Sequence, residues 1–263
     1  MQPSALYPGA RGAPIWRGAP IIALLTSDED PRLLSLAMTL RGKTGRRVDA
    51  WALPDDARSL RGALRATMLG LRGSNEAHRA LRYMVEASAR GHHVPIRILP
   101  TVSSARSEQI DELRKLPADT LLVAGWARGD QLQTHGCFGE VVQAHPGPLL
   151  FMMDCPSQAF SSALFVSVGD AGKASAVLST LSNAVERAYP CWTREAPDLL
   201  ALEALLSEAT RSDLIIVSSP ATELSVLQPL LDRLKLAASV STVGVLLHDH
   251  DSREPLLQWL DES

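Results

Sequence analysis

The sequence predicts an α/β protein with doubly wound parallel sheets, built from two related units. Short apolar runs alternate with longer amphipathic segments, and the order of these runs begins a second time after residue 160. The 263 residues are 46% hydrophobic and 21% charged, a composition typical of a globular protein with a sizeable core. Strands that alternate with helices require right-handed crossovers, and these produce a parallel sheet covered by helices.

The first unit is predicted over residues 19–156, after a flexible lead-in at 1–18 that contains no apolar segment of the signal-peptide type. Its first strand, at 21–26, is apolar throughout, as expected for a strand buried on both faces, and Pro31 then suits the first turn of a helix. The rest of the unit continues this alternation. Further strands are predicted at 47–53, 93–100, 120–126 and 148–154, and helices at 33–40, 57–90, 104–116 and between 126 and 148.

The second unit is predicted over residues 160–252, followed by a C-terminal tail at 253–263. Its first strand, Ala163–Val168, ends in a turn that carries an aspartate, and an amphipathic helix follows, as in the first unit. The run S-D-L-I-I-V at 212–217 echoes the run A-D-T-L-L-V at 118–123, and each precedes a helix and a closing strand. The second unit is shorter by about one strand–helix pair. Duplication explains this order, and chance similarity between two βαβ units is the alternative.

Charge and cysteine content exclude several classes of function. The net charge is −3, which does not provide the basic surface that nucleic acid or an anionic membrane requires. No apolar run reaches the roughly 18 residues of a membrane span, so direct membrane insertion is not expected. The chain has an odd number of cysteines, and they lie far apart: Cys137, Cys155 and Cys191. This is typical of a reduced cytoplasmic protein without a disulfide framework or a cysteine-built zinc site.

Three stretches carry a resemblance to a known family: Ile21–Asp28, Ala118–Gly125 and His145–Phe151. Together with the order of strands and helices, they resemble the universal stress protein family. The resemblance implies Rossmann-like units, often in tandem or dimeric, of which one branch binds ATP and another does not. The stretch at 119–126 is also similar to a strand of the cytoplasmic regulatory domains of amino-acid permease-like transporters and cation–chloride cotransporters.

The resemblance implies a nucleotide site in the first unit. The ATP-binding branch has the motif G-x2-G-x9-G-(S/T), whose glycines let backbone N–H groups approach phosphates. In this chain the first pair of glycines is one residue too far apart, and the final glycine is followed by Glu140 or by Cys137, depending on the alignment. Asp28 either approaches the adenine and ribose or caps the following helix. The implied site residues are Thr26, Ser27, Asp28, Gly125, Arg128, Gly129, Gly136 and Gly139.

Two functional hypotheses follow from these features. One is a cytoplasmic stress-response or regulatory binding protein, a homodimer whose first unit holds ATP or another adenine nucleotide. The other is a protein-interaction or transporter-regulatory module that has lost nucleotide binding. The chain contains none of the hydrolase, metalloprotease or dinucleotide motifs, so neither an enzyme nor a metal cofactor is expected. The run His248–Asp251 is interpreted as an exposed polar loop rather than a metal site.

Overall fold

The computed structural model describes residues 19–25, 31–41, 46–52, 94, 96–98, 103–125, 137–153, 161–169, 172–186, 189–208, 213–219, 223–238, 241–248 and 250–262. The predicted lead-in and the helical segment predicted at 57–90 lie outside these ranges. The strands are β1 (Ile21–Leu25), β2 (Val48–Ala52), β3 (Ile96–Ile98), β4 (Leu121–Gly125), β5 (Leu149–Met153), β6 (Ser162–Val168), β7 (Cys191–Ala196), β8 (Asp213–Ser219) and β9 (Thr242–Leu247).

The helices lie between the strands, as the alternation predicts. They are α1 (Pro31–Arg41), α2 (Ser103–Arg114), α3 (Cys137–Ala144), α4 (Gly172–Glu186), α5 (Leu199–Glu208), α6 (Leu224–Ala237) and α7 (Arg253–Glu262), with a short 3-10 helix at His250–Ser252. Among the described residues, none of these helices is long and apolar enough to cross a membrane.

The described strands form one nine-stranded sheet in the order β3-β2-β1-β4-β5-β9-β8-β6-β7. Neighbouring strands are parallel within the first five and within the last four. Each of these sets has strands added on both sides of its first strand, which is doubly wound topology. The predicted fold class, α/β with two parallel units, is therefore confirmed. The exact limits predicted for the two units stay predictions.

The two units share their sheet through one antiparallel pair, β5 with β9, which the sequence analysis did not predict. Phe151 lies opposite Val245, and every residue of both strands is buried. Gly244 lies opposite Met152, and a Cβ at Gly244 would come 2.5 Å from the Met152 Sδ atom. The bulky methionine fits because the opposite residue has no side chain.

Helices cover both faces of the sheet. The α1 face is covered by α1 and α4, whose leucines pack on alternate strand residues such as Ile21 and Phe165. The α3 face is covered by α2, α3, α5, α6 and α7, which pack on the intervening residues such as Leu24 and Val166. Side chains alternate between the faces along each strand, so the continuous apolar runs of β1, β4 and β5 supply both cores.

Two segments of the second unit differ from the sequence interpretation. Strand β7 and helix α5 were not predicted. Strand β7 reads C-W-T-R-E-A, and four of its residues are exposed, so it lacks the apolar run of a buried strand. The segment predicted as a C-terminal tail forms α7, where Leu256, Trp259 and Leu260 are buried. This helix packs on α6 and α3, so it contributes to the core.

Candidate functional site

The first candidate site is the crevice at the carboxyl edge of β1 and β4. These strands are adjacent and parallel, with Ile21 beside Leu121 and Ala23 beside Val123. The helix after β1, α1, packs on the α1 face, and α3, which follows β4, packs on the α3 face. Helices that leave neighbouring strands on opposite faces open a crevice between the strand ends, which is the usual ligand position in open α/β sheets.

Most predicted nucleotide-binding residues belong to the two segments that begin at this crevice. Strand β1 ends at Leu25 and strand β4 ends at Gly125, so the segments 26–30 and 126–136 start from adjacent strand ends. Six of the eight predicted residues fall in these segments, outside the described residues: Thr26, Ser27, Asp28, Arg128, Gly129 and Gly136. Gly125 and Gly139 are described.

Gly125 lies directly against Leu33 of α1 at the end of β4. A Cβ atom at this position would lie 3.0 and 3.2 Å from the two terminal methyl groups of Leu33 and 3.4 Å from the Met152 Cβ. Leu33 is itself buried in the α1-face core. The glycine therefore lets α1 cross closely over the end of β4, a cause that the motif-based interpretation did not consider.

Gly139 and Glu140 lie in the first turn of α3. The helix begins at Cys137, so Gly139 is inside it, whereas Gly136 directly precedes it. The first backbone N–H groups of a helix have no partner within the helix and attract negative charge. The Glu140 carboxylate, exposed in this turn, already provides negative charge there and would repel a phosphate.

The second unit repeats the crevice between β6 and β8, and polar side chains line it. Helix α4 follows β6 on the α1 face, and α6 follows β8 on the α3 face. Ser167 of β6 is beside Ser218 of β8, and both are buried. The Ser218 Oγ and the His248 Nε2 are 2.8 Å apart, while the buried Ser167 Oγ makes no hydrogen bond to the described residues.

Sequence reasoning missed this serine–histidine pair and was wrong about His248. The prediction placed His248 in an exposed loop, but the residue is only partly exposed and directly follows β9. Its bond to Ser218 ties the ends of β8 and β9 together. Ser218 is 0% exposed, so the pair stabilises the edge rather than presenting a nucleophile. Within the described ranges, no group of three metal-binding side chains is placed to hold an ion.

A buried cation organises the segment between α3 and β5, one of the stretches on which the family resemblance rests. Arg253, at the start of α7, is 1% exposed and donates to the carbonyl oxygens of Val142, His145 and Gly147. The carbonyls of Val142 and His145 lie at the end of α3, where the last C=O groups have no hydrogen-bond partner within the helix. Burial lowers the pKa of the Arg253 guanidinium to about 10.

His145 is the uncharged neighbour of this cation. It is completely buried, and its Nε2 donates to the Thr120 carbonyl oxygen at 2.9 Å, while its Nδ1 makes no hydrogen bond. Burial, and then the charge of Arg253, lower the pKa of His145 to about 4, although the carbonyls of Thr120 and Pro148 act in the opposite direction. The histidine is therefore neutral at neutral pH and serves the structure.

Comparisons with known proteins find similarity to solved structures but none at the level of sequence families. No family model matches the sequence, and no curated protein matches it. Among solved structures, the chain is similar to that of a protein provisionally described as a universal stress protein from Pseudomonas aeruginosa UCBPP-PA14. The sequences are 11% identical, the alignment covers 93% of this chain and 98% of that chain, and the TM-score is 0.46.

Proposed function

We propose that the chain is a cytoplasmic stress-response or regulatory protein, without enzymatic activity, whose first unit binds an adenine nucleotide between β1 and β4. The observation that carries this proposal is the crevice itself. Neighbouring parallel strands send α1 and α3 to opposite faces, and the segments 26–30 and 126–136 begin side by side at the carboxyl edge. Ligands of open α/β sheets bind at this position.

The predicted site residues fall into two groups, one that would contact the adenine and ribose and one that would contact the phosphates. Asp28, with Thr26 and Ser27, would contact the adenine and ribose, as the sequence resemblance implies. The phosphates would lie toward the start of α3, where Gly136 directly precedes the helix and unpaired N–H groups attract anions. Gly129 and the cation Arg128 would complete that side. The bound nucleotide would act as a signal that changes the protein's stability or partners.

The alternative is an interaction module, for example one that regulates a membrane transporter, that has lost nucleotide binding. Two observations favour it. Its close contact with Leu33 gives Gly125 a role in packing, so its presence does not require a phosphate. Glu140 places a carboxylate in the first turn of α3, where the ATP-binding branch has a glycine and a hydroxyl.

A thermal-shift titration with ATP, ADP, AMP and cyclic dinucleotides separates the two functions. Ligand at a hundred times its Kd stabilises the folded state by about 2.7 kcal/mol. For a chain of this size that is a rise in Tm of roughly 5 to 10 °C. Gly129→Asp should abolish the rise, because it adds a negative charge and a side chain beside the phosphates. Ser225→Asp adds the same charge at an exposed position of α6 and should leave the rise unchanged.

Glu140→Gln gives a second, independent readout. It removes the helix-terminal carboxylate, so the ligand-free Tm should fall slightly, while the ligand-induced rise should grow because the phosphate is no longer repelled. A flat response of the wild-type chain and of Glu140→Gln to every nucleotide would reject nucleotide binding and favour the interaction module.

A further inference from the structure

Ser167, near the end of β6, is a buried polar side chain whose hydroxyl has no partner among the described residues. The residue is 4% exposed, and its Oγ atom forms no hydrogen bond to them. The other buried serines of the described ranges all have a partner: Ser182, Ser218, Ser219, Ser241 and Ser252. A buried hydroxyl is costly when it is left unpaired, so this exception points to a partner that binds from outside the chain.

The α1 face of the sheet around Ser167 is built from apolar side chains. Ala163 and Phe165 precede it on this face of β6, and both belong to the α1-face core. The last residue of β1 on the same face is Leu25, which is buried in that core. The first unit thus fills the equivalent place with a leucine, so packing of the core does not account for a serine.

Helix α4 begins at the same edge of the sheet and on the same face as Ser167. The chain turns at Gly169, whose φ of 74° suits a glycine, and α4 starts at Gly172 and packs on the α1 face through Leu178. The first N–H groups of the helix therefore lie on the side to which Ser167 points. They have no partner within the helix and carry partial positive charge. The first turn of α4 contains no acidic residue, whereas that of α3 contains Glu140.

We propose that the second unit binds a phosphate group, either free or as part of a small molecule, between Ser167 and the start of α4. The Ser167 hydroxyl donates to one phosphate oxygen, and the N–H groups of the first helical turn donate to the others. A phosphate group has enough acceptor oxygens, pointing in different directions, to bond to a side chain and a helix terminus together. The second residue of α4 is Lys173, a cation that favours an anion at this position.

This phosphate site is separate from the nucleotide site proposed in the first unit. Strands β5 and β9 are antiparallel, so the carboxyl edges of the two units lie at opposite ends of the sheet. In the first unit the phosphates would lie toward α3, which follows β4, whereas the second site uses α4, which follows β6. The neighbouring Ser218 already bonds to His248, which leaves the Ser167 hydroxyl for the ligand. Phosphate binding here does not depend on nucleotide binding in the first unit.

Isothermal titration calorimetry with inorganic phosphate and with ribose 5-phosphate tests the site and separates free phosphate from a phosphate monoester. Ser167→Ala should raise the Kd at least tenfold, while the ligand-free Tm stays equal or rises because only an unpaired hydroxyl is removed. Two controls should leave the Kd unchanged: Ser182→Ala, which removes a hydroxyl bonded within α4, and Gly129→Asp in the first unit. Absence of binding of both ligands at millimolar concentration, or an unchanged Kd in Ser167→Ala, would overturn the proposal.

The charge at the start of α4 gives a second readout. Lys173→Glu places a carboxylate in the first turn, which favours the ligand-free helix but repels phosphate, so the chain should stay folded while the Kd rises about tenfold or more. Asp170, outside the described residues, is the acidic residue that closely precedes α4 in the sequence. Asp170→Asn removes this negative charge and should lower the Kd. A higher Kd in Asp170→Asn, or an unchanged Kd in Lys173→Glu, would contradict a phosphate held by the helix terminus.

Discussion

Acid should destabilise this protein through His145, and replacing that residue with glutamine should remove this part of the pH dependence. His145 is completely buried, and its Nε2 already donates to the Thr120 carbonyl oxygen. Protonation would put a second N–H on Nδ1, which makes no hydrogen bond, close to the buried charge of Arg253. A glutamine amide can still donate to Thr120, but it does not titrate.

The magnitude follows from the two pKa values. The pKa of His145 is about 4 in the folded chain and about 6.5 in the unfolded chain. The unfolded state therefore binds more protons between these values, so the stabilising contribution is complete above about pH 6.5 and is lost as the pH falls toward 4. Each pKa unit corresponds to about 1.4 kcal/mol, which gives about 3 kcal/mol in full and roughly 2.5 kcal/mol between pH 7 and about pH 4.5.

Urea unfolding of the wild type and of His145→Gln at those two pH values measures the effect. Both chains share the acid loss that arises from other groups, so the difference between their losses isolates His145. In Arg253→Met the histidine loses its positive neighbour, and the His145-dependent loss should shrink. Equal acid losses in the wild type and in His145→Gln would refute the assignment of His145 as a buried neutral residue.

Two further predictions concern close packing and the buried cation. Gly147→Ala should lower the free energy of unfolding by about 3 kcal/mol or more, because the new Cβ would overlap the backbone carbonyl oxygen of Thr120. Gly244→Ala should lower it by less than about 1.5 kcal/mol, because the main obstacle there is the adaptable Met152 side chain. Equal losses in urea unfolding would contradict this difference. Arg253→Met should cost about 3 kcal/mol at pH 7 by leaving three buried carbonyls without a donor; an unchanged denaturation midpoint would show that they find other partners.

The strands that could be predicted from sequence are those buried on both faces. Strands β1, β4 and β5 are continuous apolar runs, and their predicted positions agree with the structure within one or two residues. Strand β7 could not be found in this way, because an edge strand keeps polar side chains and its sequence shows neither a long apolar run nor a clean alternation. The pairing of β5 with β9 is equally hidden, since an apolar run does not reveal which strand lies beside it.

The candidate site was predictable to a different degree in each unit. Asp28 entered the prediction from its place at the end of the first strand and from the family resemblance, and Gly125 entered it through the glycine motif of that family. The packing role of Gly125 depends on its close contact with Leu33. Leu33 belongs to a different element, so this contact cannot be read from the local sequence. The second crevice was missed because Ser167 and Ser218 stand at the ends of apolar strands and, with His248, form no familiar motif.

The seam between the units gives the second unit a structural role that does not depend on a ligand-binding loop. Strand β5 reads L-L-F-M-M and is buried throughout, so in an isolated first unit it would be an apolar edge with unpaired backbone groups. Strand β9 covers that edge, and α7 adds Arg253, which satisfies the carbonyls next to β5. These contributions need only an apolar strand and one cation, and neither depends on a bound ligand. The second unit therefore acts as a structural partner of the first unit, whose apolar edge at β5 it pairs and whose neighbouring carbonyls it satisfies.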